Sequence, residues 1–259
     1  MKKYFSQLKM EIDSLTVFSK LKEDPAISCL RLLLDTIEDK DTNTSIDLYS
    51  RFVSALYKNT ASLTDYIKTL VLQDDNFYVK GHAEKKHRDH VIRVSVDHEL
   101  SILQKIAAFT SDSFQDIIGY EGFLPEWTTR PIDIQYDFME KLSNISVTGY
   151  GIYAKYCFFR LKEGNVVPVV HPDYQPLNQL FGYERERNII IKNTKALIDG
   201  KGASNMLLYG DAGTGKSSTV KAVAADLSPK GLRIIEVKKN QLYQIPWLME
   251  ELSLNPLKF

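Results

Sequence analysis

The chain has 259 residues, 33 basic and 33 acidic side chains, and a formal net charge of zero. That balance excludes a global electrostatic pull toward nucleic acid or an anionic membrane surface, and the length is enough for two domains, each with its own core. No apolar run approaches membrane-spanning length, and the start, Met1 to Gln7, lacks the apolar core of a secretory signal. The two cysteines, Cys29 and Cys157, are far apart and lack metal-ligand spacing, so free thiols in a reducing cytoplasm are expected.

Residues 1–146 read as an all-helical domain. Asp24-Pro25 combines an N-cap acid with proline at the first helical position, and Ile27, Leu30, Leu33, Leu34 and Ile37 follow at helical spacing. After a polar turn at Asp39–Thr44, a second stripe runs through Ile46, Tyr49, Phe52, Val53 and Leu56. A third, Leu63, Tyr66, Ile67, Leu70 and Val71, is capped by Ser62. These stripes are read as the core of a helical bundle rather than as a cofactor pocket, because nothing polar converges on them.

Four of the five histidines, His82, His87, His90 and His98, fall between Gly81 and His98. Their neighbours Glu84, Lys85, Lys86, Arg88 and Asp89 are those of a solvated face, and no zinc-type ligand spacing is present, so a charged surface helix is expected and no metal. Further helices are expected at Leu100–Phe109, at Ser113–Ile118 closed by Gly119, and at Asp133–Leu142. Trp127 is expected as a packed anchor.

The character changes at Val147. Ile152–Leu161 and Val166–Val170, separated by Lys162-Glu-Gly-Asn165, read as a β-hairpin, and Pro168 marks its second arm as an edge strand. Residues 147–172 are therefore expected to be a hairpin linker, in which His171 makes a structural hydrogen bond. Glu184–Asp199 reads as a long helix ended by Gly200 and Gly202.

The most informative stretch is Met206–Ser218. Met206–Tyr209 reads as a short buried strand. Gly210, four residues, then Gly215-Lys216-Ser217 is the P-loop spacing, and Lys216–Leu227 follows as a helix with Val220, Val223, Ala224 and Leu227 on one face. Glycines at these positions let main-chain N–H groups approach phosphate oxygens, and the helix start adds its dipole to the same anion site. The bland alternative is a glycine-rich strand-to-helix turn with no ligand. On the P-loop reading, Gly210, Asp211, Ala212, Gly213, Thr214, Gly215, Lys216, Ser217 and Ser218 bind ATP. Lys216 reaches the β- and γ-phosphates as the catalytic residue, and the Ser217 hydroxyl ligates Mg²⁺. Leu232–Val237 reads as a second buried strand, which makes a βαβ unit and hence a parallel sheet. Pro246 opens a last short helix.

The run Leu180–Arg187, its amphipathic helix and Met206–Lys221, with Gly231–Lys239 and Asn255–Phe259, resembles the front of an AAA-plus ATPase core. It is close to a bacterial family of uncharacterised AAA-plus ATP-binding proteins catalogued as a domain of unknown function, with the specific likeness running from Tyr153 to Phe259. The resemblance implies that Phe181, Gly182 and Tyr183 lie beside the adenine, although Tyr183 also reads as a core aromatic. It implies an α + α/β architecture in which 173–259 is the N-terminal portion of a P-loop parallel-sheet αβα domain. The Walker B acid that the family needs does not follow Lys216. Ile234-Ile235-Glu236 is the nearest candidate and sits on the wrong strand, and Phe259 falls where the Walker B strand should start. The chain is thus expected to be a truncated piece of a longer protein or the product of a broken reading frame, binding nucleotide weakly or not at all and without turnover by itself.

The resulting expectation is a cytoplasmic ATPase that couples MgATP binding and hydrolysis to movement of its N-terminal helical domain or of a bound partner, with a protein client or self-association as the expected partner and no membrane role. Nucleic acid is unsupported as a partner. Two alternatives remain open at this stage, a nucleotide-binding scaffold or switch without turnover and a P-loop kinase for a small molecule.

Overall fold

The structure is a computed structural model describing residues 2–39, 41–86 and 89–259. His87 and Arg88 of the histidine-rich stretch, and the side chain of Ile37, lie outside the described residues. The chain divides into two compact units, Met1–His82 with Lys86–Ser143, and Ala83–Lys85 with Asn144–Phe259.

The first unit is helical. It comprises α1 (Lys2–Asp13), α2 (Pro25–Asp39), α3 (Thr42–Tyr57), α4 (Leu63–Gln73), α5 (Phe77–Ala83), α6 (His90–Ala107), α7 (Asp112–Ile118) and α8 (Ile134–Ser143). The expected caps are in place. Asp24 Oδ1 accepts from the N–H groups of Ala26 (3.0 Å) and Ile27 (3.1 Å), and Ser62 Oγ accepts from Asp65 N–H at 3.2 Å. Gly119 ends α7 in the left-handed conformation, φ +67°.

The turn read at Asp39–Thr44 is shorter than expected, since α2 runs to Asp39 and α3 begins at Thr42 with Asp41 as its N-cap. The surface helix expected across Gly81–His98 is also revised. His82 belongs to α5, whereas His90 is the first residue of α6, behind an Asp89 N-cap that favours a fresh helix start. Among the described residues no group of three or more His, Cys, Asp or Glu side chains is placed to hold a metal.

The stripes at helical spacing do form the core of this unit, with Leu30, Leu33, Leu34, Tyr49, Phe52, Leu56, Ile67 and Val71 all buried. One end is aromatic. Phe114 lies 5.4 Å from Phe5, 5.1 Å from Phe109 and 5.8 Å from Trp127, ring centroid to ring centroid. Trp127 is buried and donates its indole N–H to Phe109 O at 2.7 Å, so it is the packed anchor its sequence context suggests.

The second unit holds α9 (Ile145–Thr148), α10 (Ile152–Lys155), β1 (Phe158–Lys162), β2 (Asn165–Pro168), α11 (Glu184–Ile198), α12 (Lys216–Leu227), β3 (Ile234–Glu236) and α13 (Ile245–Ser253). β1 and β2 form the expected hairpin, turning at Glu163 (φ +52°) and Gly164 (φ +77°), with β2 at the sheet edge as Pro168 requires. Its first arm is shorter than expected, because Ile152–Lys155 is a helical turn.

Two further corrections concern the sheet. The hairpin, expected to be a linker, is built into the second unit: β1 is the central strand, antiparallel to β2 and parallel to β3, with Phe158 opposite Ile234 and Arg160 opposite Glu236. The parallel partner of β3 is therefore β1 and not Met206–Tyr209. That segment is no strand at all, and Leu207 and Tyr209 are each 87% exposed. Its alternation turns Leu208 onto the core while its neighbours face outward, so an apolar run read as buried is covered on one side only. The small core itself gathers Phe158, Ile190, Val223, Ala224, Leu227 and Leu232, joining β1, α11, α12 and the approach to β3.

The last residues run along the other edge of β3. Arg233 donates its backbone N–H to Lys258 O (2.7 Å), Lys258 N–H returns to Gly231 O (3.0 Å), and Leu232 and Lys258 pair as a parallel bridge. Arg233 is buried and, among the described residues, pairs with no carboxylate. Its Nε donates to Tyr153 O at 2.7 Å and its Nη1 to Leu232 O at 2.8 Å and Ser228 O at 3.1 Å, which ties α10 to β3. Burial pushes its guanidinium below the usual arginine range.

Candidate functional site

The glycine-rich loop ahead of α12 is the feature with the clearest chemistry. Gly210, Gly213 and Gly215 take φ values of +138°, +82° and +79°. Residues with a Cβ rarely adopt that region, so the loop shape demands glycine. Packing is not what demands it, since a Cβ built on Gly213 or Gly215 meets nothing within 4 Å. Glycine is kept here for backbone shape, on a face that stays open.

Gly215 is the N-cap of α12 and offers no capping side chain, and the first helical bond is Thr219 N–H to Gly215 O at 2.8 Å. The helix therefore presents its leading N–H groups and the positive end of its dipole at the loop. Ser217 is exposed, and Asp211 and Ala212 lie on the exposed rim.

Lys216 is folded back over the loop. Its Nζ donates to Gly210 O at 2.9 Å, to Asp211 O at 2.6 Å and to Thr214 Oγ1 at 3.2 Å. Thr214 in turn donates its hydroxyl to Asp211 O at 2.9 Å. An ammonium, a serine hydroxyl and a helix start thus come from one stretch, as the spacing implies.

The second group of sequence-predicted residues lies just ahead of α11. Phe181 is 92% exposed and Tyr183 is 63% exposed, so Tyr183 is not a core aromatic. Gly182 (φ +74°) and Tyr183 (φ +51°) are both left-handed, a strained choice for tyrosine. The 3-10 turn Leu177–Gln179 and α11, which flank this segment, both pack against α12.

Two residues that the sequence reading passed over hold these segments in shape. Arg187, four positions after Tyr183, donates Nη1 to Leu180 O at 2.8 Å and Nη2 to Gly182 O, clamping the turn through its carbonyls. Asn193 pairs doubly with Ser204, Nδ2 to Ser204 O at 2.7 Å and Ser204 N–H to Oδ1 at 2.9 Å, fixing the approach to the loop on α11. The visible signal was slight: one arginine and one asparagine on the polar side of an amphipathic helix. Lys221 of α12 further donates to Asp173 O at 3.2 Å.

Residues 153–259 match the model of a family described as a protein of unknown function (DUF815), which covers less than half of the chain and begins at the residue where the specific likeness was expected to begin. No curated protein and no solved structure matches the chain. Among the described residues, no helix is long and apolar enough to cross a membrane.

Proposed function

We propose that Gly210–Ser218 binds the phosphates of ATP and that the chain belongs to an ATPase of the AAA-plus type, a hydrolase coupling MgATP turnover to the remodelling of a protein partner. One observation carries this reading: three left-handed glycines lead into an uncapped helix start whose first residue is a lysine with its ammonium turned back across the loop. Main-chain N–H groups and the helix dipole favour a polyanion there, and the open space beside Gly213 and Gly215 suits close approach of phosphate oxygens.

On this reading Lys216 neutralises the β- and γ-phosphates. The exposed Ser217 hydroxyl would help hold Mg²⁺ beside those phosphates. Bound Mg²⁺ would polarise the terminal phosphate. The residues in hand orient the chain of phosphates and balance its charge. Phe181 and Tyr183, presented by a turn that Arg187 holds, offer ring faces for the adenine.

The test is equilibrium binding of MgATP to the full chain and to Lys216→Ala, followed by phosphate release from the same samples. The reading expects saturable binding that the substitution weakens at least about tenfold, as loss of a charge-assisted contact to phosphate should. Binding without phosphate release is what this sequence predicts, since no Walker B acid follows Lys216, and it supports the phosphate site; release that Lys216→Ala leaves unchanged would remove Lys216 from the chemistry. Equal binding by both proteins would remove the phosphate site from this loop.

A further inference from the structure

An ammonium has three N–H donors, and all three of Lys216 end on oxygens of its own loop: Gly210 O, Asp211 O and Thr214 Oγ1. A phosphate oxygen can reach this ammonium only by taking the place of one of those acceptors. The two carbonyls belong to the loop backbone, at 2.9 and 2.6 Å, and keep the ammonium over the loop. The third bond, to Thr214 Oγ1, is the longest at 3.2 Å and is made by a side chain that can rotate away.

Thr214 is not a passive acceptor. Its own hydroxyl hydrogen goes to Asp211 O at 2.9 Å, an oxygen that also receives Lys216. The hydroxyl, the ammonium and the Asp211 carbonyl thus close a three-membered ring of hydrogen bonds inside the loop. The closest atom to a Cβ built on Gly210 is the same Thr214 Oγ1, at 3.7 Å, so this hydroxyl lies across the start of the loop as well as its end.

We propose that Thr214 is a gate on phosphate entry: its hydroxyl holds the Lys216 ammonium on the loop's own oxygens, and a bound polyphosphate takes that place. The proposal rests on the reading of Gly210–Ser218 as a phosphate site and names the side chain that sets its affinity. Entry exchanges one neutral acceptor for a charged one, and Thr214 swings out as the phosphate arrives. Removing the hydroxyl leaves the ammonium with a free donor, held by the two carbonyls alone. Valine keeps the shape and branching of threonine and removes both of its hydrogen bonds, and serine restores them.

The experiment is titration of the full chain with inorganic tripolyphosphate, and separately with MgATP, for wild type, Thr214→Val, Thr214→Ser and Lys216→Ala. The gate predicts that Thr214→Val binds tripolyphosphate about fivefold more tightly than wild type, the worth of one modest hydrogen bond. Thr214→Ser should match wild type, and Lys216→Ala should lose binding. Equal or weaker binding by Thr214→Val, with wild type still binding and Lys216→Ala not, would overturn the gate and leave the phosphate site standing. Absence of binding by wild type and by Thr214→Val up to millimolar tripolyphosphate would overturn both. Position 214 is on a surface loop, so a thermal melt of each variant separates a folding defect from a change in affinity.

Discussion

Glu99 and Val17, 82 residues apart, are joined by two hydrogen bonds of 3.0 Å, in which the Val17 N–H is shared between both carboxylate oxygens of Glu99. The same buried carboxylate accepts from Thr16 N–H and Phe18 N–H, each at 2.9 Å. Three consecutive N–H groups of the α1–α2 connection are therefore satisfied by one side chain from α6. Glu99→Ala should destabilise the helical unit by roughly 3–5 kcal/mol, because buried donors are left without partners. Chemical denaturation should show a lower midpoint with an unchanged slope.

Lys141 of α8 is buried and, among the described residues, its Nζ has no hydrogen-bond partner. Burial pushes its amine down to about 8, against a weak opposing pull from the buried Asp74. Burial likewise raises Asp74, which accepts a bond of 2.6 Å from Asn76 Nδ2. A base whose folded pKa lies below its unfolded one is a constant penalty at pH below about 8, and the penalty fades as pH climbs toward 10.5. Lys141→Met should therefore stabilise the fold at pH 7 by roughly 1–3 kcal/mol. The difference between variant and wild type should shrink between pH 8 and 10.5, which paired denaturation curves across that range will show.

Gly231 has φ +88°, and a Cβ built there would lie 2.6 Å from Ser146 O and 3.1 Å from Val147 Cα. Backbone atoms cannot yield as a flexible side chain can. Gly231→Ala should cost about 2 kcal/mol or more, from the left-handed conformation and the overlap together. It should also loosen the Lys258 N–H to Gly231 O bond. Amide exchange at Lys258 and Arg233 should accelerate in the variant.

Much of this architecture was legible because it is encoded locally. Asp24-Pro25, Ser62 and Gly119 announce helix ends through their own backbone chemistry, and Pro168 declares an edge strand because it has no N–H to give. Gly210, Gly213 and Gly215 likewise report a backbone shape before any tertiary contact is known. What stayed hidden is long-range. The pairing of β1 with β3 joins Phe158 to Ile234 across two helices, and no local signal ties those residues together. Glu99 looks like an ordinary surface acid of an amphipathic helix, yet its partners are N–H groups more than 80 positions away. Arg187 and Arg233 bond to carbonyl oxygens, which every residue carries, so no complementary residue type marks their targets. Met206–Tyr209 misled for the opposite reason, since an apolar run signals burial but not how many of its faces this unit covers.

The glycine turn at Gly182-Tyr183 gives a fourth prediction. Arg187 clamps that turn through Leu180 O and Gly182 O. Arg187→Lys keeps the charge but loses the forked geometry, so Phe181 and Tyr183 should become less ordered. On the proposed function, affinity for MgATP should fall about threefold or more while affinity for tripolyphosphate stays unchanged, since only the base side is disturbed. Parallel titrations with the two ligands will separate those effects.

The most direct test of the phosphate site is hydrogen–deuterium exchange of the full chain with and without MgATP, resolved at Gly210–Thr219. The account predicts slower exchange of the amides from Gly213 to Ser218 on adding MgATP, with the effect abolished in Lys216→Ala. Unchanged exchange across that segment at saturating nucleotide, or protection confined to another part of the chain, would contradict it.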